Sequence, residues 1–230
     1  MPAAAGHQPA PVSYPLVTQW ESPELVEGIA TGRSSPADDP RWAASGAASL
    51  AEYSFWSWRA CGLACLRMLL LAHGHDDVPG VVRLAEAASE AGAFTFHEDR
   101  VRGLIYRPFV RWAEATYGAR LDVVEGVDAA DLVRRVRETG PFIASVHPSI
   151  RGAQRDEVVG GKGGHLVLVH HVTSDDDVVL NNPSGWSRAE QKDYCLPVSS
   201  FEEYFAGRGM QYRPPSRCGA ASVLYARRKL

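Results

Sequence analysis

From Cys61 to Ala72 the sequence reads CGLACLRMLLLA, with Arg67 as its only charge. A helix that is apolar on almost every side has no solvent face, so it has to lie in the middle of a domain with other elements packed around it. Gly74, just past the last apolar residue, supplies the usual helix stop. Whatever this chain folds into must wrap that segment. At 230 residues, 45% hydrophobic and 22% charged, it has enough material to do so in one generous domain, and its composition is not that of a disordered chain.

The flanking sequence sets the order of the other elements. Residues 1 to 45 are rich in Pro, Gly, Ser and Ala and are read as an N-terminal arm laid over the domain. One short helix is expected in it, from Ser22 to Ile29, with Ser22 as N-cap and Pro23 in the first turn. Residues 46 to 230 are read as the compact main domain. Helices are expected near Val81 to Ala91, Tyr106 to Tyr117 and Asp128 to Glu138, with a connection through Phe94 and Phe96. From Pro141 the pattern changes to strands: PFIASVH, then GGHLVLVHHV, then DDVVLNNP, and finally ASVLYARR near the C-terminus. Helices followed by an antiparallel sheet predict an α+β fold.

The formal net charge of −3 argues against a nucleic-acid or anionic-membrane surface. No apolar run approaches the roughly 20 residues of a membrane span. The start, MPAAAGHQPAPVSYP, has neither a basic nor an apolar leader region, so a cytoplasmic location is expected. Cys61, Cys65, Cys195 and Cys218 form neither a disulfide framework nor paired zinc knuckles, and no metal or cofactor is expected.

Three residues stand out chemically. Cys61 opens the buried helix, where the positive end of the helix dipole favours thiolate and is expected to lower the thiol pKa; Gly62 leaves room for a substrate backbone. Read blandly, Cys61 is a small core residue, as Cys65 is taken to be one turn further in. His165 begins a strand directly after Gly163 and Gly164, which clear space beside the ring. Alternation puts Val167, Val169 and His171 on the side of His165 and His170 on the other. His165 and His171 would lie about 20 Å apart, too far to share a metal, and His73 and His75 at a helix end read as solvated. Asn182 is held extended by Pro183. An even-numbered hairpin loop would bring Asn182 to the face of His165, and an odd one would bring Asn181. An amide carbonyl there accepts the second ring N–H and fixes the tautomer. Cysteine at a helix start, histidine at a strand start and an amide at the next strand's end make the Cys-His-Asn arrangement of papain-like enzymes, in the same chain order.

The runs CGLACLRMLL, GGHLVLVHHV and NNPSG resemble the bacteriocin-processing, double-glycine-leader cysteine peptidase family and its stand-alone members, over residues 53 to 190. The resemblance implies a papain-like fold, a central helix packed on an antiparallel sheet, with Cys61 as nucleophile, His165 as base and Asn182 as the orienting residue. That family usually has aspartate where Asn182 stands. It also places a glutamine oxyanion donor six residues before the nucleophile, where this chain has Phe55; Ser54, Ser57, Trp56 or Trp58 are the available substitutes. The aromatic wall Tyr53 to Trp58 and the loop at His147 are expected to line the cleft. The implied activity is a cysteine peptidase or amidase acting through a thioester on a peptide. The alternatives are an acyltransferase or amide-forming ligase using an acyl donor, in one version carrier-bound, and a degenerate module that only binds peptide.

Overall fold

The computed structural model describes residues 12–97, 100–152 and 162–214. Its first elements are a 3-10 turn Pro23–Leu25 running into helix α1 (Val26–Ala30), then α2 (Leu50–Ser57), α3 (Cys61–Ala72) and α4 (Val81–Glu90). Ser22 does not cap the first turn; its hydroxyl is drawn away to Asp39 Oδ1 at 2.6 Å, in a buried cluster where Tyr53 also donates to Asp39. Ser49 caps α2, accepting from the Glu52 N–H.

The stretch expected to be a simple connection is a hairpin, β1 (Phe94–His97) with β2 (Arg100–Leu104). Helix α5 (Tyr106–Tyr117) agrees with its expected bounds. An unanticipated strand, β3 (Arg120–Glu125), precedes α6 (Ala129–Glu138), which Asp128 caps through the Asp131 N–H at 2.7 Å. Next come β4 (Phe142–Val146), β5 (His165–Val172) and β6 (Val178–Asn181), as the sequence indicates. Short α7 (Arg188–Gln191), β7 (Tyr194–Leu196), α8 (Val198–Tyr204) and the long β8 (Phe205–Arg213) complete the described chain. The expected strand ASVLYARR and Cys218 lie outside the described residues.

The main sheet has six antiparallel strands in the order β3-β8-β4-β5-β6-β7, so the fold is α+β. One face packs on α3, α4 and the N-terminal segment: Ile143, Leu166, Leu168 and Met210 join Leu63, Leu66, Leu69 and Leu70 in one core. Helices α6 and α8 cover the other face, where Phe142, Ala144, Val167 and Val169 meet Leu132, Val136 and Phe201. That is why β4 and most of β5 are buried on both sides and read as continuous apolar runs rather than as an alternation. Helix α3 is thus a central, fully packed element, as its sequence demands. Among the described residues no single helix is long and apolar enough to cross a membrane; α2 and α3 together pass by length and composition but meet at a 90° bend.

The N-terminal segment is tied to the far end of the chain. Tyr14, Val17, Trp20, Val26 and Ile29 are all in the core. The Tyr14 carbonyl accepts from Asn181 Nδ2 at 3.1 Å, the Gln19 N–H donates to the Pro183 carbonyl at 2.9 Å, and the Pro23 carbonyl accepts from Gln191 Nε2 at 2.9 Å.

Candidate active site

The register of the β5–β6 hairpin decides which asparagine meets His165. Val172 pairs with Val178, so residues 173 to 177 form the loop, and five is odd. Unbroken pairing from there would place Asn181 on the face of His165. Instead a β-bulge intervenes between Val169 and His171, and Leu168 pairs with Asn181. The extra residue, His170, shifts the register by one and turns Asn182 toward His165. It also breaks the alternation: Val172 rather than His171 joins Val167 and Val169 in the core, and His171 is exposed. The expectation that His171 shares the side of His165 is therefore corrected.

His165 Nε2 lies 2.9 Å from Asn182 Oδ1 and 3.1 Å from Ser184 Oγ. Asn182 Oδ1 also accepts the Ser184 N–H at 3.1 Å, while Asn182 Nδ2 reaches the Ile150 carbonyl at 3.4 Å. Two donors converging on one amide oxygen fix the flip of Asn182, and with it the tautomer of the ring: Nε2 carries the proton. His165 Nδ1 is left with its lone pair, buried and without a hydrogen-bond partner among the described residues. Asn181, on the other side, is a structural tie to Tyr14 and to the Asp193 N–H.

Cys61 is the first residue of α3 and is half-buried. Burial pushes its thiol up, against the backbone N–H groups of Leu166, Gly62 and Cys61 itself and the charge of Arg151, all of which favour thiolate. The lowered pKa expected from the helix end alone is not met, because desolvation outweighs it. The Leu166 N–H directed at the sulfur brings Cys61 to the start of β5. Cys65, fully buried, donates to the Leu166 carbonyl at 3.7 Å and is pushed well up by burial. Gly62 does not face a substrate: a Cβ there would meet Leu104 Cδ2 at 2.8 Å and Leu166 Cδ1 at 2.9 Å, so its role is close helix packing.

His165 is pushed down to about 3 by burial and then by Arg151, with the bond to Asn182 opposing them. Arg151 was not singled out in the sequence. It sits in a 3-10 turn, Pro148–Gly152, where its Nε donates to Ser184 Oγ at 2.8 Å and its carbonyl accepts from the Trp186 N–H at 2.9 Å. Ser184 therefore bridges Arg151 and His165. The only local signal for it was its place two residues after Asn182, in NNPSG.

A cavity of about 630 Å³ opens on both Cys61 and His165. Trp58, Phe94, Val101 and Leu104 supply apolar wall, and Arg59, Arg107, Arg208 and Glu125 supply charge. Of the expected aromatic wall Tyr53 to Trp58, only Trp58 lines it; Tyr53 is buried at Asp39, and Trp56 packs on Phe55 and Phe94. Neither does His147 line it, its Nδ1 meeting Ser149 Oγ at 2.8 Å. Phe55 is covered by the Arg59 guanidinium, 4.2 Å from its ring centroid. Ser54 Oγ is engaged with the Leu50 carbonyl at 2.8 Å. The space expected at the double glycine is shared: both residues adopt positive φ, and a Cβ on Gly163 would lie 2.7 Å from Arg208 Nη2. His73 is not simply solvated but packs between Tyr14 and Tyr212. No group of three or more His, Cys, Asp or Glu able to hold a metal occurs among the described residues.

No protein-family model matches the chain, and no curated protein matches it. Several solved structures resemble it, among them these two. One is the peptidase domain of Streptococcus ComA, a bi-functional ABC transporter involved in a quorum-sensing pathway (17% identity, TM-score 0.47, 68% of this chain and 93% of that one). The other is a double glycine motif protease from an AMS/PCAT transporter in complex with the leader peptide (16% identity, TM-score 0.44, 69% and 86%). These are likenesses, and they assign no residue of this chain a role.

Proposed function

We propose that the protein is a papain-like thiol enzyme that forms an acyl-enzyme thioester on Cys61 and cleaves a peptide or amide bond. One observation carries this: His165 is clamped through Nε2 by Asn182, its Nδ1 lone pair is unclaimed, and ring and sulfur open on one cavity. A ring so held is the base such a nucleophile needs. With both thiol and imidazole biased to their neutral forms, the proton passes as the bond forms. The Cys61 S–H proton moves to His165 Nδ1 while sulfur attacks the carbonyl carbon. The tetrahedral intermediate then collapses, the C–N bond breaks, and Nδ1 returns its proton to the leaving amine. Water adds to the thioester by the same relay, releasing the acid and restoring the thiol.

The oxyanion donors on this reading are the N–H of Cys61 at the start of α3 and, in place of the glutamine that Phe55 replaces, the indole of Trp58. A missing donor of this kind typically costs about 100- to 1000-fold in turnover, so Trp58→Phe is expected to slow acylation by about that factor. The test is intact-mass spectrometry of wild type and Cys61→Ala incubated with activated acyl thioesters and acyl amides. A covalent acyl adduct on the wild type that is absent from the variant is expected, decaying to free acid in water. Decay to amide when amines are added would redirect the reading to acyl transfer. Absence of any adduct, with Cys61 alkylating no faster than Cys195, would leave a binding module.

A further inference from the structure

Three guanidiniums line the cavity, those of Arg59, Arg107 and Arg208, against one carboxylate, Glu125, in a chain whose formal net charge is −3. Pairing is common though not universal among the other described arginines, Arg111, Arg135 and Arg188 being among those without a carboxylate oxygen in ion-pair distance among the described residues. Seven arginines elsewhere have a carboxylate oxygen within ion-pair distance, Arg33 with Glu27 and Arg137 with Asp176 among them. None of the three cavity arginines has one among the described residues, although Glu125 and Arg208 are cross-strand neighbours on β3 and β8. Arg151, beside His165, has none among the described residues either, and its Nε donates to the neutral Ser184 hydroxyl. Arg59 is partly occupied by the Phe55 ring and carbonyl, so that among the described residues Arg107 and Arg208 are the cations of the wall without a carboxylate partner. Unpaired positive charge held in a concave, partly apolar site focuses its field inward and concentrates anions there.

Taking Cys61 as the nucleophile proposed above, we infer that the acyl substrate carries an anionic group, a carboxylate or a phosphate, and that Arg107 and Arg208 recognise it inside the cavity. The apolar wall of Trp58, Phe94 and Leu104 then takes the neutral part of the same molecule.

Iodoacetate and iodoacetamide are nearly equal in size and share a leaving group but differ by one negative charge, so the ratio of their alkylation rates at Cys61 reads the field at the sulfur. Relative to 2-mercaptoethanol, that ratio is expected to be raised about tenfold at low salt, and to collapse at 1 M salt, where the Debye length is about 3 Å. Arg107→Gln and Arg208→Gln should each lower it several-fold, whereas Arg111→Gln, outside the cavity, should not change it. A ratio equal to that of the free thiol, or one indifferent to both cavity substitutions, overturns the inference and leaves the nucleophile standing. If neither reagent labels Cys61 while Cys195 is labelled, the nucleophile falls and the inference with it. Paired acyl probes then separate the sources. Faster acylation by the phosphorylated member of an acyl-pantetheine pair identifies a carrier-type phosphate. Faster acylation by the acidic member of an acid/amide peptide pair identifies a carboxylate, and no preference in either pair overturns the inference.

Discussion

Lowering the pH should destabilise this protein by a measurable amount through one ring. His165 is 2% exposed, and its pKa falls from 6.5 in the unfolded chain to about 3 in the folded one. Between those values the unfolded state binds the proton and the native state does not, so the contribution is complete above pH 6.5 and is lost as pH falls toward 3. From pH 7.5 to 4.5 the unfolded ring becomes almost fully protonated and the native ring stays neutral, which integrates to roughly 2 to 3 kcal/mol of lost stability. Burial also pushes down His73 and His170, so the slope of the wild type alone is not diagnostic. His165→Gln removes the titration while its side-chain amide can still donate to Asn182. Urea unfolding of both proteins at pH 7.5, 6.0, 5.0 and 4.5 should give curves that diverge by roughly that 2 to 3 kcal/mol toward acid, with the wild type falling more steeply. Parallel curves would show that the native ring takes up its proton as readily as the unfolded one, and the picture of a neutral His165 with an unprotonated Nδ1 would have to be abandoned.

Two further outcomes follow from the sheet. Deleting His170 should be tolerated, because it takes out the bulge while keeping Leu168 opposite Asn181, and β4 pairs only as far as Val169; the rate of Cys61 alkylation should stay within a few-fold of wild type, and its loss would refute the register argument. Gly209→Ala should lower the urea midpoint, since its Cβ would fall 2.1 Å from the Ile143 carbonyl oxygen and part β8 from β4, at a cost of about 1 to 3 kcal/mol or more.

Much of this arrangement is legible in the sequence where local chemistry decides it. The all-round apolarity of α3 foretells a central helix, and the caps and stops of α5 and α6 give their bounds to within a residue or so. The strand runs β4, β5 and β6 are visible because burial on both faces makes them continuously apolar. Strand β8 is not visible, because FAGRGMQYR carries two glycines and two arginines; Gly209 is required by close approach to β4, and a glycine required by its neighbour looks the same in sequence as one in a turn. The hairpin β1–β2 is hidden differently, by Gly103, which breaks the strand pattern of β2 with a positive φ. Cys61, His165 and Asn182 could be nominated from their positions at element ends, but choosing Asn182 over Asn181 depended on the bulge at His170, which no local preference announces. Arg151 and Ser184 were unreadable for a plainer reason. Their importance comes from meeting each other across 33 residues, and nothing in either neighbourhood marks it.

The ties between the N-terminal segment and residues 181 to 191 bear on the order in which the molecule is assembled. The carbonyls of Tyr14 and Pro23 find their partners 167 and 168 residues later, in the stretch that carries the orienting amide. During translation Cys61 leaves the ribosome first, then His165 and then Asn182. Until residues 181 to 191 have emerged, the segment from Tyr14 to Pro23 lacks the partners that hold it against the sheet.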